Sequence, residues 1–256
     1  MNHLMIASVV FICLFGSALL GSYLRGRLPS QHLSDESISV VKLATGLIAT
    51  MAALVLGLLV SSAKGTFDTT SAELVGTAAK VVQFDRVLSR YGPDTQEIRS
   101  LLKHNYAGVM QVLASRDASQ IAKLDSPEAI NRSEELQRKV EALSPGNDAQ
   151  RALKARALLV MDEVFATRWL ALLQANGSIP FTMLAILVSW LSIIFGTFGL
   201  FAPRNGTILA VLMMCALSTS AAILLVEELN RPLDGLIGVS LEPIRDTLGR
   251  LGQSPN

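Results

Sequence analysis

Long uncharged stretches interrupt a chain whose other segments contain both apolar and charged residues. Four of these stretches contain no Lys, Arg, Asp or Glu, and they cover residues 1–24, 43–63, 177–203 and 205–226. A helix needs about 20 residues, at about 1.5 Å each, to cross a hydrocarbon core of roughly 30 Å. The pattern therefore predicts four membrane-spanning helices, near residues 4–24, 42–63, 179–201 and 207–227.

The first of these stretches has an alternative interpretation as a cleaved secretory signal. It lacks a basic start, however, and Arg25 and Arg27 follow it where a cleavable signal has small residues. We therefore expect a permanent membrane span.

Residues 64–178 contrast with the spans because they carry 29 of the 43 charged side chains in the protein. Apolar residues recur there every three or four positions, as in amphipathic helices. Capping and turn patterns predict the helix boundaries. The predicted helix starts are Thr70 with Glu73, Asp94 with Glu97, and Ser126-Pro127-Glu128. A helix is predicted to end at Tyr91-Gly92-Pro93, and a long helix is predicted from 149 to 175. We expect a water-facing bundle of helical hairpins.

The predicted fold class is an all-α membrane protein, because no stretch alternates apolar and polar residues as a half-buried strand does. Four transmembrane helices flank an extramembrane helical bundle between spans two and three. The predicted domains are a transmembrane hairpin at 1–63, the helical domain at 64–178, a second hairpin at 179–227 and a C-terminal tail at 228–256.

Net charge excludes some partners and leaves the orientation open. The formal net charge is +1, whereas a nucleic-acid-binding surface is markedly basic. Four spans place both termini and the helical domain on one side of the membrane. Arg25 and Arg27 argue that the opposite side is cytoplasmic, while Lys64, Arg231 and Arg245 argue for the side of the helical domain.

The chemistry of an enzyme is missing from the sequence. It has no phosphate-binding glycine loop, no nucleophile elbow, no His-Glu helix pair for zinc and no Cys-x-x-Cys, and its three histidines are isolated. We therefore expect no enzymatic activity, no cofactor and no metal site.

The second span carries two patterns with different interpretations. Thr45, Ala49, Ala53 and Gly57 recur every four residues and predict a small-residue stripe along which helices pack closely in lipid. Other faces carry leucines such as Leu54 and Leu58, which in a ring of subunits would form a hydrophobic constriction. Ser61 and Ser62 would lie at its mouth.

The fourth span ends in VEELNRPLDG, residues 226–235. Carboxylates at a helix C-terminus are unfavourable when exposed, by about 0.3 to 1 kcal/mol each. Glu227, Glu228 and the nearby Asp234 either end the helix in headgroup water or line an entrance, where a ring of them would favour cations.

Four segments resemble the bacterial bestrophin-like domain family, which consists of four-span membrane proteins. They are LVLGLLVSSAKGTFD (54–68), FDRVLSRYGPD (84–94), IIFGTFGLFAPRN (193–205) and VEELNRPLDG. The family is distantly similar to the bestrophin ion channels, through the four-span layout and an acidic-x-x-x-Pro-x-x-Gly stretch, here Glu228, Pro232 and Gly235.

Bestrophins are pentameric channels whose second span lines a hydrophobic neck. The resemblance implies a homo-oligomer, with a pentamer favoured, and Leu54, Leu58, Ser61 and Ser62 as neck residues. It also implies a multi-pass protein of the bacterial inner membrane with the helical domain in the cytosol. The calcium site of animal members is not implied, because no dense acidic cluster follows Glu228.

Two functions remain open from the sequence. One is an oligomeric ion channel, with ions and the lipid bilayer as partners and the helical domain as a vestibule or gate. The other is a membrane-anchored helical sensor or scaffold without a pore, whose bundle binds a small ligand or a protein.

Overall fold

The structure is a computed structural model that describes residues 3–29, 34–175, 181–203 and 205–253. Within these residues the chain forms helices and no strands. The helices are α1 (His3–Arg25), α2 (Asp35–Tyr91), α3 (Gln96–Ser115), α4 (Ala118–Ala122), α5 (Pro127–Glu141), α6 (Asp148–Ala175), α7 (Phe181–Phe201), α8 (Gly206–Leu229) and α9 (Glu242–Arg250). The predicted all-α membrane protein is confirmed, since four helices, α1, α2, α7 and α8, are long and apolar enough to cross a membrane.

The chain divides into two compact units. Met1–Gly65 and Ser178–Asn230 form the membrane-spanning unit, and Thr66–Gly177 and Arg231–Asn256 form the helical unit. Helix α2 contributes residues to both units because it continues without a break from Asp35 to Tyr91. Residues 179 and 180 of the predicted third span lie outside the described residues.

Close packing of α1 against α7 holds one side of the membrane-spanning unit together. A Cβ atom at Gly199 would lie 1.9 Å from the carbonyl oxygen of Ala18, and one at Gly21 would lie 2.0 Å from that of Gly196. Such backbone contact requires glycine, because a methyl group has no room. Gly199 and Gly21 therefore allow α1 and α7 to pack closely.

Arg25 at the end of α1 strengthens this pair of helices. Its guanidinium donates hydrogen bonds to the backbone carbonyls of Phe201, at 3.2 Å, and of Ala202. The last carbonyls of a helix have no partner within the helix itself. Arg25 therefore caps the C-terminal end of α7.

Helices α2, α7 and α8 share an apolar cluster. Ala52, Leu59 and Ala63 of α2 are buried against Leu187 and Ile194 of α7, and Val226 of α8 joins them. These α2 residues are spaced by seven and four, so they form one face of the helix. Through that face α2 packs against α7 and α8 of the same chain.

The helical unit has a core contributed by four helices and the C-terminal segment. Its buried members are Val81, Phe84, Leu88, Ile98, Leu102, Leu136, Val140, Ala157, Val160, Met161 and Leu251. The periodic positions of α2, α3, α5 and α6 thus meet in one apolar cluster, as expected for a helical bundle.

Two predicted helix starts are wrong and two boundaries are confirmed. Thr70 with Glu73 is not a capping box, because both lie inside α2, where the Thr70 hydroxyl donates to the carbonyl of Thr66 at 3.0 Å. Asp94 does not cap α3, which begins at Gln96 after a 3-10 turn. Ser126 does cap α5, accepting from the amide of Ala129. Helix α2 ends before Gly92, whose φ of 131° suits glycine alone.

The C-terminal residues fold into the helical unit, although the sequence analysis assigned them no element. Ile244 and Thr247 of α9 and the following Leu251 are buried. The carbonyl of Gln253 accepts a hydrogen bond from Arg99 of α3 at 2.9 Å, and the amide of Gly252 donates to Asp85 of α2 at 3.3 Å. The C-terminal segment is therefore attached to the core by both apolar and polar contacts.

Candidate functional site

One face of α2 that carries leucines is exposed among the described residues. Leu54 and Leu58 are each 66% exposed, and Ser61 and Ser62 are exposed as well. Ala52, Leu59 and Ala63 are buried on the opposite side. The four neck candidates therefore lie together on a face that meets lipid, another copy of the chain or a water-filled path.

The predicted small-residue stripe of α2 is divided between two environments. Thr45 is buried and its hydroxyl donates to that of Thr197 of α7 at 3.4 Å, while Ala49 packs into the apolar cluster of the spans. Ala53 and Gly57 are exposed, and a Cβ atom at Gly57 would have no neighbour within 4 Å. The first half of the stripe serves contacts within the chain, and the second half is available to another helix.

The acidic end of α8 is partly buried. Asn230 ends the helix, where its side-chain amide donates to the carbonyl of Val226 at 3.0 Å. Glu227 is half-buried, whereas Glu228 is only 2% exposed. Burial of a carboxylate is costly unless polar groups compensate it. In the single chain Glu228 is therefore not exposed to solvent at the end of the helix, and Glu227 is the more accessible of the two side chains.

Asp234 follows in a tight turn of the helical unit. Arg231 lies 3.5 Å from its carboxylate, and the amide of Gly235 donates to the carbonyl of Arg231 at 2.9 Å. This pairing offsets the charge of Asp234. Arg231 therefore leaves Asp234 with less charge to offer an ion than an unpaired carboxylate would have.

The helical unit contains an apolar cavity of about 220 Å³ that the sequence analysis did not find. Helices α2, α3, α5 and α6 form most of its wall, and Leu233 and Ile244 of the C-terminal segment complete it. Among the described residues of the wall, Glu73 is the charged one, and Asn105 and Tyr106 are polar. Burial raises the pKa of Tyr106 to about 12, so its phenol is neutral at physiological pH.

A signal for this cavity does exist in the sequence. Asn105 falls on the apolar stripe of α3, between Leu102 and Val109, at the spacing of three and four residues that defines one helix face. Its side-chain oxygen Oδ1 is buried, and among the described residues it has no hydrogen-bond partner. A polar residue in the middle of an apolar stripe therefore marks the lining of a cavity here.

The described residues bring no three His, Cys, Asp or Glu side chains together as a metal would require. Cys13 and Cys215, both in spans, are free thiols.

Fold and site together define a class of protein: a four-span, all-α membrane protein with an extramembrane helical unit that the C-terminal segment completes. The family model of the Bestrophin-like domain matches residues 12–244. The chain therefore belongs to the Bestrophin-like domain family. No curated protein and no solved structure matches it.

Proposed function

We propose that several copies of this chain surround a common axis in the bacterial inner membrane and form an ion channel with a hydrophobic neck lined by α2. The observation that supports the proposal is the face of Leu54, Leu58, Ser61 and Ser62, which is exposed in the part of the chain that the structure describes. Hydrophobic constrictions gate ion flow by losing and regaining water. Membership of the Bestrophin-like domain family supports the same assignment, and a pentamer is the favoured assembly.

Counting subunits tests this proposal most directly. Mass photometry of the purified protein in detergent is expected to give one species near five times the mass of the 27.4 kDa chain. Reconstituted into planar bilayers, this species is expected to conduct ions. A monomer or a dimer without conductance would overturn the proposal.

Widening the neck is expected to increase the current. In the double variant Leu54→Ser/Leu58→Ser, water enters the constriction more readily because its wall is no longer apolar, so the current at fixed voltage rises several-fold. Leu217→Ser is the matched control, since Leu217 is 60% exposed on another span, α8. Equal currents in both variants and the unmodified protein would show that Leu54 and Leu58 do not line the pore.

Neutralising the acidic end of α8 is expected to change ion preference. Glu227→Gln removes an accessible charge and shifts the reversal potential in asymmetric salt towards that of anions, whereas Glu228→Gln, at a buried site, shifts it less. Asp234→Asn is the control, because Arg231 already offsets that charge. An unchanged reversal potential in the Glu227→Gln/Glu228→Gln variant would show that neither carboxylate has a role in permeation.

A membrane-anchored sensor is the second candidate function, and the cavity of the helical unit favours it. In that case the spans hold the unit at the membrane and no conductance appears in bilayers.

A further inference from the structure

We propose that a crevice between α2, α7 and α8 binds one phospholipid with a negatively charged headgroup. An acyl chain of the lipid fills the crevice, and its phosphate pairs with Lys42. This inference concerns the membrane-spanning unit and does not depend on whether the assembled protein conducts ions. Three features carry it: the open volume of the crevice, its position at the ends of the helices, and the positive charge there.

The crevice is an open gap between three membrane-spanning helices. Its volume is about 560 Å³, within the range of about 300 to 1,000 Å³ that is usual for ligand pockets. A Cβ atom at Gly46 would meet nothing within 4 Å, and Phe198 and Val211 are 51% and 52% exposed. The described residues of the wall include Thr45, Gly46 and Ala49 of α2, Phe198 of α7, and Val211 and Leu212 of α8. The gap is therefore open at the surface of the unit, where the bilayer surrounds it.

An acyl chain is the occupant that suits this wall. Lipid tails are as apolar as leucine, so the hydrophobic effect does not decide what enters the crevice from the bilayer. An empty gap, however, costs its lining atoms their van der Waals contacts. The hydroxyls of the wall are already used, since Thr45 donates to Thr197 at 3.4 Å and Thr197 donates to the carbonyl of Ile193 at 2.8 Å. A chain without polar atoms therefore fills the gap and leaves these hydrogen bonds intact.

One end of the crevice lies at a membrane boundary. Lys42 directly precedes the uncharged stretch of α2, α7 ends at Phe201, and α8 begins at Gly206. Lys42, Phe201 and Ile208 all line the crevice. The headgroup region of a bilayer begins where the uncharged stretches end. A lipid whose chain occupies the crevice therefore has its phosphate near Lys42.

Positive charge at this end determines which headgroup is preferred. Lys42 is exposed, and it forms no ion pair with any residue that the structure describes. Its ammonium group, on a flexible stem, binds phosphate as a point charge. Arg25 adds a second positive charge, since it donates to the carbonyls of Phe201 and Ala202, two residues that line the crevice. An anionic headgroup is therefore preferred to a zwitterionic headgroup on the same chains.

Native mass spectrometry of the full-length protein in detergent tests this inference with two lipids that carry the same chains. They are dioleoyl phosphatidylglycerol, which is anionic, and dioleoyl phosphatidylcholine, which is zwitterionic. We expect the tightest site to hold one phosphatidylglycerol per chain, with a dissociation constant about fivefold lower than that of phosphatidylcholine. Glycerol 3-phosphate, which has the phosphate but no chains, is expected not to compete.

Three results would overturn the proposal. One is an equal dissociation constant for the two lipids. Another is displacement of the lipid by glycerol 3-phosphate, which would make the site a phosphate site without a role for the chain. The third is the lack of saturable lipid binding, as expected if a helix of a second copy of the chain fills the crevice.

Two variants assign the lipid to the crevice. Lys42→Gln is expected to weaken phosphatidylglycerol binding to the level of phosphatidylcholine, whereas Arg27→Gln, the control at an exposed arginine just after α1, keeps the preference. Gly46→Leu fills the gap and is expected to weaken the binding of both lipids several-fold. Gly16→Leu is its control, because a Cβ atom there also has open space but lies on α1. Equal affinities in the Lys42→Gln and Arg27→Gln variants, or in the Gly46→Leu and Gly16→Leu variants, would refute the site.

Discussion

Gly199→Ala is expected to destabilise the membrane-spanning unit by about 3 kcal/mol or more. The new Cβ atom would lie 1.9 Å from the carbonyl oxygen of Ala18 and 2.7 Å from its carbonyl carbon. These are backbone atoms of another helix, so no side chain can rotate away and α1 and α7 must separate. Separation also weakens the hydrogen bonds of Arg25 to the end of α7. We expect the thermal unfolding midpoint in detergent to fall by about 5 °C or more.

Two other glycines of the same helices serve as controls. A Cβ atom at Gly196 of α7 would meet the carbonyl oxygen of Ser17 at 3.6 Å, which is ordinary contact, and one at Gly16 of α1 would meet nothing within 4 Å. Gly196→Ala and Gly16→Ala should leave the midpoint unchanged or raise it slightly, because alanine is the better helix former. Gly21→Ala should behave like Gly199→Ala. Equal midpoints for all four variants would refute the close packing of α1 and α7.

The four spans could be predicted from sequence because their signal is local. An uncharged stretch of about 20 residues needs no knowledge of its neighbours to be assigned to the bilayer. Three of the described helices reproduce these stretches closely, and α8, Gly206–Leu229, lies within two residues of the predicted 207–227 at each end. Helix α2, Asp35–Tyr91, contains the second stretch but extends beyond it at both ends. The family resemblance added the expectation of an assembly, which the single chain does not test.

The helix boundaries outside the membrane were harder because capping patterns also occur inside helices. Thr70 and Glu73 have the right spacing for a capping box, yet no helix-breaking turn precedes them, and α2 continues through them. Ser126 succeeds as a cap because Pro127 follows it, and proline is favoured in the first turn. The two cases differ in the neighbouring residues rather than in the capping residue itself.

Contacts between distant parts of the chain were not predictable from one sequence. Nothing local links Glu73 of α2 with Asn105 of α3, although both line the same cavity. The C-terminal helix α9 gave a weak signal, since Pro243 lies in its first turn and Ile244, Thr247 and Leu251 have helical spacing. Its place in the core depends on partners more than 100 residues earlier in the chain.

Arg99→Met is expected to destabilise the helical unit by about 3 to 5 kcal/mol. Arg99 and Asp85 are both buried, with side chains 7% and 4% exposed. Two hydrogen bonds join them, from Nε to Oδ1 at 2.8 Å and from Nη2 to Oδ2 at 3.0 Å. The hydrogen bond to Asp85 raises the pKa of Arg99 above its already high ordinary value, so the guanidinium remains charged at physiological pH. Removing Arg99 leaves the Asp85 carboxylate buried without its counter-charge.

The same substitution is expected to release the C-terminal segment. Arg99 also donates to the carbonyl of Gln253 at 2.9 Å, and the amide of Gly252 donates to Asp85. Limited proteolysis should therefore cleave the residues around α9 faster in Arg99→Met than in the unmodified protein. Arg86→Met, at an exposed arginine of α2, is the control and should leave the cleavage rate unchanged.

Two further variants separate the charge of Arg99 from its geometry. Arg99→Lys keeps a positive charge but lacks the planar fork that makes both hydrogen bonds, so we expect an intermediate loss of stability. Asp85→Leu/Arg99→Met replaces the pair with apolar groups and should recover much of the stability, because no buried charge remains. It should not restore the hydrogen bonds to Gly252 and Gln253, so proteolysis of the C-terminal segment should remain fast. Slow proteolysis in this double variant would mean that the apolar contacts of Ile244 and Leu251 alone hold the segment in place.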